Sequence, residues 1–271
     1  MNKSTIIGLI IGLLSLGFGM VLKGASLLSL FNSAAILIII GGTIASVMIG
    51  FPMYELKKIP QLFKILFTEQ KLLTQQETIS VFKDWAMITR REGLLVLENK
   101  MNDIDEPFLK NGMRMIIDGN DPDFVREVLM EDIAATENRH EAGAQIFTQA
   151  GTYAPTLGVL GAVVGLIAAL STLNDVDILG RSIAAAFIAT LLGIFTGYVL
   201  WHPFANKLRR LSQREIELKL MMVEGLLSIQ SGISSAAIQH KLSVFLPQNE
   251  RDQDGKGSKE RVANETYAEV R

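Results

Sequence analysis

The sequence predicts an all-α membrane protein, with four transmembrane helices in two hairpins plus a helical cytoplasmic domain. Three observations predict it. Mean hydropathy is +0.30 over 271 residues, of which 49% are hydrophobic. The charges are segregated: residues 52–146 hold 12 Lys/Arg and 17 Asp/Glu, and residues 203–271 hold 11 and 9. The remaining 107 residues, in two blocks, carry only Lys3, Lys23, Arg181, Asp175 and Asp177. The apolar runs are continuous, without the alternation of barrel strands, and a helix is the element that satisfies its own backbone in lipid.

A span needs roughly 20 apolar residues. Residues 1–51 supply two, about Ser4–Leu22 and Ser33–Phe51, joined by a short turn from Lys23 to Asn32. Residues 148–203 supply two more, about Thr148–Leu173 and Ser182–His202, joined by residues 174–180. The first run is long for a signal peptide and a second apolar run follows at once, so cleavage is not expected. Lys57, Lys58, Lys64, Lys207, Arg209, Arg210 and Arg214 follow the second and fourth spans. The positive-inside rule then places both termini and the middle region in the cytoplasm, and for a bacterial chain the membrane is the inner one.

The middle region, 52–147, reads as helical. Thr74-Gln-Gln-Glu77 is a capping-box pattern, and Ile79, Phe82, Trp85 and Ala86 follow at helical spacing. Glu106-Pro107 starts a short helix that Asp118-Gly-Asn120 ends. Asp121-Pro122 starts another, which can run on into the third span. Residues 204–247 contain a second amphipathic helix, about Asn206–Ser231. The tail, 248–271, has mixed charge, little apolar content and an expected lack of order.

Within the spans, small residues recur every fourth position: Ala185, Ala189, Gly193 and Gly197; Gly161, Gly165 and Ala169; Gly8 and Gly12. Such ridges let helix backbones approach closely. Pro155 withholds an N–H from the Gly151 carbonyl, and Pro203 lies at the exit of the fourth span. The hydroxyls of Thr156 and Thr190 either bond back to their own helix or line a polar path. The spans hold no Asp or Glu, and Arg181 is their one basic residue, at an edge. Ion-driven machines place an ionisable group in the membrane, so this chain either moves no ions or borrows the carboxylate from a partner.

Cysteine is absent, which excludes a disulfide scaffold, and a net charge of −2 provides no pull toward nucleic acid. Phosphate loops, dinucleotide fingerprints, zinc spacings and nucleophile–base pairs are also absent, so no enzyme, metal or cofactor is expected. Arg90, Arg91, Glu92 and Glu98 flank Gly93. Eight residues apart on a helix, about two turns, Arg90 and Glu98 share a face, as solvated surface or as a docking patch.

Three stretches carry a family resemblance. The run from Ala150 to Gly165, AGTYAPTLGVLGAVVG, resembles the third span of the MotA family of flagellar stator subunits. So do Ala186–Gly197 with Trp201-His-Pro-Phe204, and Arg90–Glu98 looks like that family's torque motif. The resemblance covers the chain to about residue 247. It implies a homopentamer around a MotB dimer that contributes the membrane Asp and a peptidoglycan anchor. It also implies that Arg90 and Glu98 meet FliG of the rotor, that Pro155 and Pro203 couple ion flow to torque, and that Thr190 lies near the ion-binding Asp. Sodium-driven members usually have Thr where this chain has Ala162, so the proton is the expected coupling ion. An ExbB- or TolQ-like energiser is the nearest alternative, and a secondary transporter is the alternative from another class.

Overall fold

The computed structural model describes residues 3–68, 73–101, 104–171, 175–248 and 250–251. The expectation of disorder in the tail bears mainly on residues 252–271, which lie outside the described residues, as do residues 172–174 at the end of the third expected span. Every regular element among the described residues is helical. Four helices are long and apolar enough to cross a membrane: Lys3–Leu22, Leu27–Gly50, Pro122–Leu170 and Val176–Gln230. The chain divides into two compact units, residues 1–70 with 138–212 and residues 71–137 with 213–271.

In the first unit, α1 (Lys3–Leu22) turns back through Gly24, at φ 73°, into a 3₁₀ segment capped by Ser26. The second span is α2 (Ser33–Ile36), a π turn at Leu37–Gly41, and α3 (Gly42–Gly50), started by the Asn32 side chain accepting from the Ala35 N–H. The short helices α4 (Met53–Leu56) and α5 (Ile59–Phe67) follow. α1 keeps only Met20 fully buried and rests Leu9 on the Phe147–Phe204 cluster, and its exposed apolar residues face lipid or further chains. Its first turn is tied down: Thr5 donates to the Leu66 carbonyl at 3.2 Å, and the Lys207 ammonium donates to the hydroxyls of Ser4 and Thr5. An aromatic cluster joins α5 to later helices, with Phe63 edge-on to Phe147 at 5.2 Å and Phe147 edge-on to Phe204 at 6.3 Å.

The second unit begins with α6 (Gln75–Glu92), started by the expected capping box between Thr74 and Glu77. After α7 (Leu97–Lys100), Pro107 opens α8 (Pro107–Ile117), with the Glu106 carboxylate accepting from the Phe108 N–H. Its core gathers Phe82 and Trp85 with Leu109, Met113, Met221, Met222 and Leu226. α12 (Ser235–Ser243) is held by Lys241, whose ammonium lies 2.6 Å from the Glu224 carboxylate. Burial alone would push the Glu224 carboxyl up, but hydrogen bonds from Lys241 and Arg126 outweigh it and hold it below the usual range.

The long helices run further than the apolar pattern. α9 is one unbroken helix from Pro122 to Leu170, as the sequence allowed. The connector expected at 174–180 is largely helical: Asp175 caps α10 (Val176–Phe195), accepting from the N–H groups of Asp177 and Ile178 at 3.0 Å. Two orphan donors are thereby satisfied, and the helix starts six residues before Ser182. α10 continues through a π turn at Thr196–Trp201 into α11 (His202–Gln230), so the amphipathic helix expected from Asn206 begins inside the fourth helix. The π turn immediately precedes Pro203, which has no N–H to donate, and the His202 N–H instead reaches Gly197 O.

Candidate functional site

The third and fourth spans meet backbone to backbone. A Cβ built on Gly193 would lie 2.8 Å from Ala154 O and from Gly158 Cα, and one on Gly158 would lie 2.9 Å from Ala189 O and Gly193 Cα. Gly161 faces the Ala189 methyl, and Gly165 faces that of Ala186, both at 3.3 Å. The ridge on α10 is therefore Ala186, Ala189, Gly193 and Gly197. Ala186 joins this face three residues before Ala189, because steps of three and four together follow 3.6 residues per turn. Gly158 was missed, although Ala154, Gly158 and Ala162 carry the same four-residue signal on α9. Gly12 faces Val199, whereas Gly8 meets nothing among the described residues.

Pro155 sits inside α9, and its irregularity has a partner. A Cβ on Gly197 would lie 2.7 Å from the Pro155 ring and 2.8 Å from Gly151 O. That is the carbonyl left without its usual N–H, and Gly197 lies in the π turn of the facing helix, where its own carbonyl accepts from the His202 N–H. Two weakened stretches of backbone thus adjoin each other, and glycine permits the approach. Thr190 is half-buried and donates to Ala186 O at a long 3.4 Å, while Thr156 donates to Tyr153 O at 2.7 Å. Ala162 is half-buried and Pro203 is exposed in the first turn of α11. At the basic end of this unit Arg209 grips Glu141 through both carboxylate oxygens and donates to Thr148 at 3.0 Å. Those hydrogen bonds hold the Glu141 carboxyl below its usual range.

In the second unit Arg90 and Glu98 are both exposed, and neither makes an ion pair among the described residues. They do not share one helix face. α6 ends at Glu92, Gly93 takes φ 86°, and a 3₁₀ turn at Leu94–Val96 leads into α7, where Glu98 stands in the first turn. Only glycine enters that conformation without strain, so the chain breaks there. Glu98 instead lines a recess with Lys110, Arg114 and Asp118. Arg91 and Glu92 line another with Asp84 and Lys100. No sequence spacing pointed to Lys110 or Arg114.

The N-terminal model of motility protein A matches residues 6–93, and the model of the MotA/TolQ/ExbB proton channel family matches residues 100–221. Motility protein A of Bacillus subtilis is 57% identical over 251 residues, covering 93% of each chain. The chain belongs to the MotA/TolQ/ExbB proton channel family. Two solved members share its fold. The flagellar MotAB stator complex from Bacillus subtilis superposes with a TM-score of 0.89 at 56% identity, covering 93% of this chain and 99% of the other. MotAB of C. jejuni superposes at 0.87 with 29% identity, covering 92% and 97%. Within the proton channel family, the match over residues 6–93 sets this member on the motility protein A side, away from ExbB and TolQ. Both glycine-lined spans lie inside the channel-family match.

Proposed function

We propose that this chain is the flagellar stator subunit that conducts ions together with a MotB-type partner and converts the flow into torque on the rotor. The observation that carries it is a membrane half without an acid. The third and fourth spans pack through glycine and alanine, and the four apolar stretches, 4–22, 33–51, 148–173 and 182–202, contain no carboxylate, in a chain whose solved relatives are MotAB assemblies. A MotB dimer contributes the membrane Asp and holds the complex to peptidoglycan, and five copies of this chain surround it in the inner membrane with both termini cytoplasmic. A proton neutralises the Asp, which lowers its cost of burial, and the ring steps to bring the group to its next subunit. Thr190, Pro155 and Pro203 lie on the path that couples these events, with Pro155 beside the π turn as the place where the helix pair gives.

Arg90 and Glu98 hand the motion to FliG of the rotor. Because both are exposed and unpaired here, reversing both charges leaves the protein level in the membrane unchanged. It weakens rotor binding by about tenfold or more and lowers the torque of tethered cells. Matching reversals on FliG restore the torque. Normal torque from the doubly reversed protein rejects the docking role.

Ala162 supports the proton as coupling ion, since a methyl group replaces a possible oxygen ligand for a hard cation. Swimming speed should be the same with and without external sodium and insensitive to an amiloride-type blocker. Sodium-dependent swimming would reverse the assignment.

A further inference from the structure

Beside the basic end of the spans the first unit bears a half-open cavity of about 480 Å³, within the size range of small-ligand sites. Val47 and Met48 of α3, Phe63 of α5, Ile146 of α9 and Trp201 form its walls, and Lys57 stands on its lining. The wall is almost wholly apolar: the hydroxyl of Thr43 is spent on the Ile39 carbonyl at 2.6 Å, and the Trp201 indole N–H is the other uncharged polar group on it. Lys57 is exposed and makes no ion pair among the described residues, and Lys58 beside it is exposed as well. The adjoining carboxylate, Glu55, lies beside the Tyr54 hydroxyl and holds that phenol above its usual range. An apolar wall that includes Phe63, Phe147 and Trp201, with a lysine at its rim, matches the layering of a membrane interface.

We infer that this cavity seats one acyl chain of an anionic phospholipid, whose phosphate is held by Lys57 and Lys58. Charge complementarity selects the occupant. A zwitterionic lipid leaves the rim uncompensated. A span of a second copy brings no carboxylate, because the spans contain none. Bound lipid would fill the gap between α3, α5 and α9 and fix the short helices α4 and α5 against the spans.

Trp201 on the wall is the reporter. The full chain in phosphatidylcholine nanodiscs is titrated with dibrominated-acyl phosphatidylglycerol or with dibrominated-acyl phosphatidylcholine, and the Trp201→Phe chain provides the background. Phosphatidylglycerol should quench at lower mole fraction, roughly fivefold lower for each lysine engaged. Lys57→Gln with Lys58→Gln should remove that preference while quenching at saturation persists. Val47→Phe, which fills the chamber, should lower quenching by both lipids. Equal quenching by the two headgroups overturns the anionic site. Quenching unchanged by Val47→Phe overturns the acyl seat. No quenching by either lipid shows that protein covers the cavity, and also overturns the inference.

Discussion

Gly193→Leu should abolish assembly of a stable complex while the chain still inserts into the membrane. The added Cβ alone would sit 2.8 Å from a carbonyl oxygen and a Cα of α9. These are backbone atoms that no rotamer change can move, so the two helices must separate along their length. Overpacking a core costs about 1–3 kcal/mol. In a bilayer the loss is felt more directly, because helices associate through close packing and not through expulsion of water. Purified protein should elute as dispersed chains on size exclusion in mild detergent, and motility should be lost. Gly8→Leu is the matched control, since nothing among the described residues lies within 4 Å of a Cβ there. It should leave the thermal stability of the solubilised chain unchanged. A fully assembled Gly193→Leu complex would show that the backbone approach of α9 and α10 is not needed.

Phe82→Ala should destabilise the second unit by about 3–5 kcal/mol. The ring is fully enclosed, lies edge-on to Trp85 at 5.8 Å, and occupies the space over Gly225. Removing it opens a hole between α6 and α11 that the surrounding Met and Leu side chains only partly refill. The same contact sets the sign for Gly225→Ala. In an open helix that exchange would help by about 1 kcal/mol. Here a Cβ would meet three ring carbons at 2.6 Å, and an enclosed ring has nowhere to swing, so it should destabilise. Denaturant titrations followed by Trp85 fluorescence test both. A shift of the midpoint upward for Gly225→Ala would contradict the rigid packing of this core.

Much of the architecture follows from residue order alone. The four spans are visible because lipid requires long charge-free helices, and their approximate ends are visible where Lys and Arg begin. Helix starts are visible where Thr74 faces Glu77 and where acidic residues precede Pro107 and Pro122, because a cap acts over three or four residues. The missing acid could be read from composition, since it is a property of the whole chain and not of any contact. What stayed hidden depends on which surfaces meet. Periodicity shows that α10 has a small-residue face, but only the packed pair shows that Ala186 meets Gly165 of α9. Spacing placed Arg90 and Glu98 on one helix, whereas Gly93 breaks that helix and Glu98 stands in the company of Lys110, Arg114 and Asp118.

The sequence by itself determined an all-helical membrane chain, its capped helix starts, and the need for a carboxylate from elsewhere. The tertiary structure alone decided that Gly158 meets Gly193, that Gly197 covers the carbonyl freed by Pro155, and that Arg209 holds Glu141 from 68 residues away. The physical reason is range. Capping, hydropathy and helical period act within a few turns of one helix and are written in residue order. Close packing and ion pairing act between helices distant in the chain, at separations set by atoms in contact.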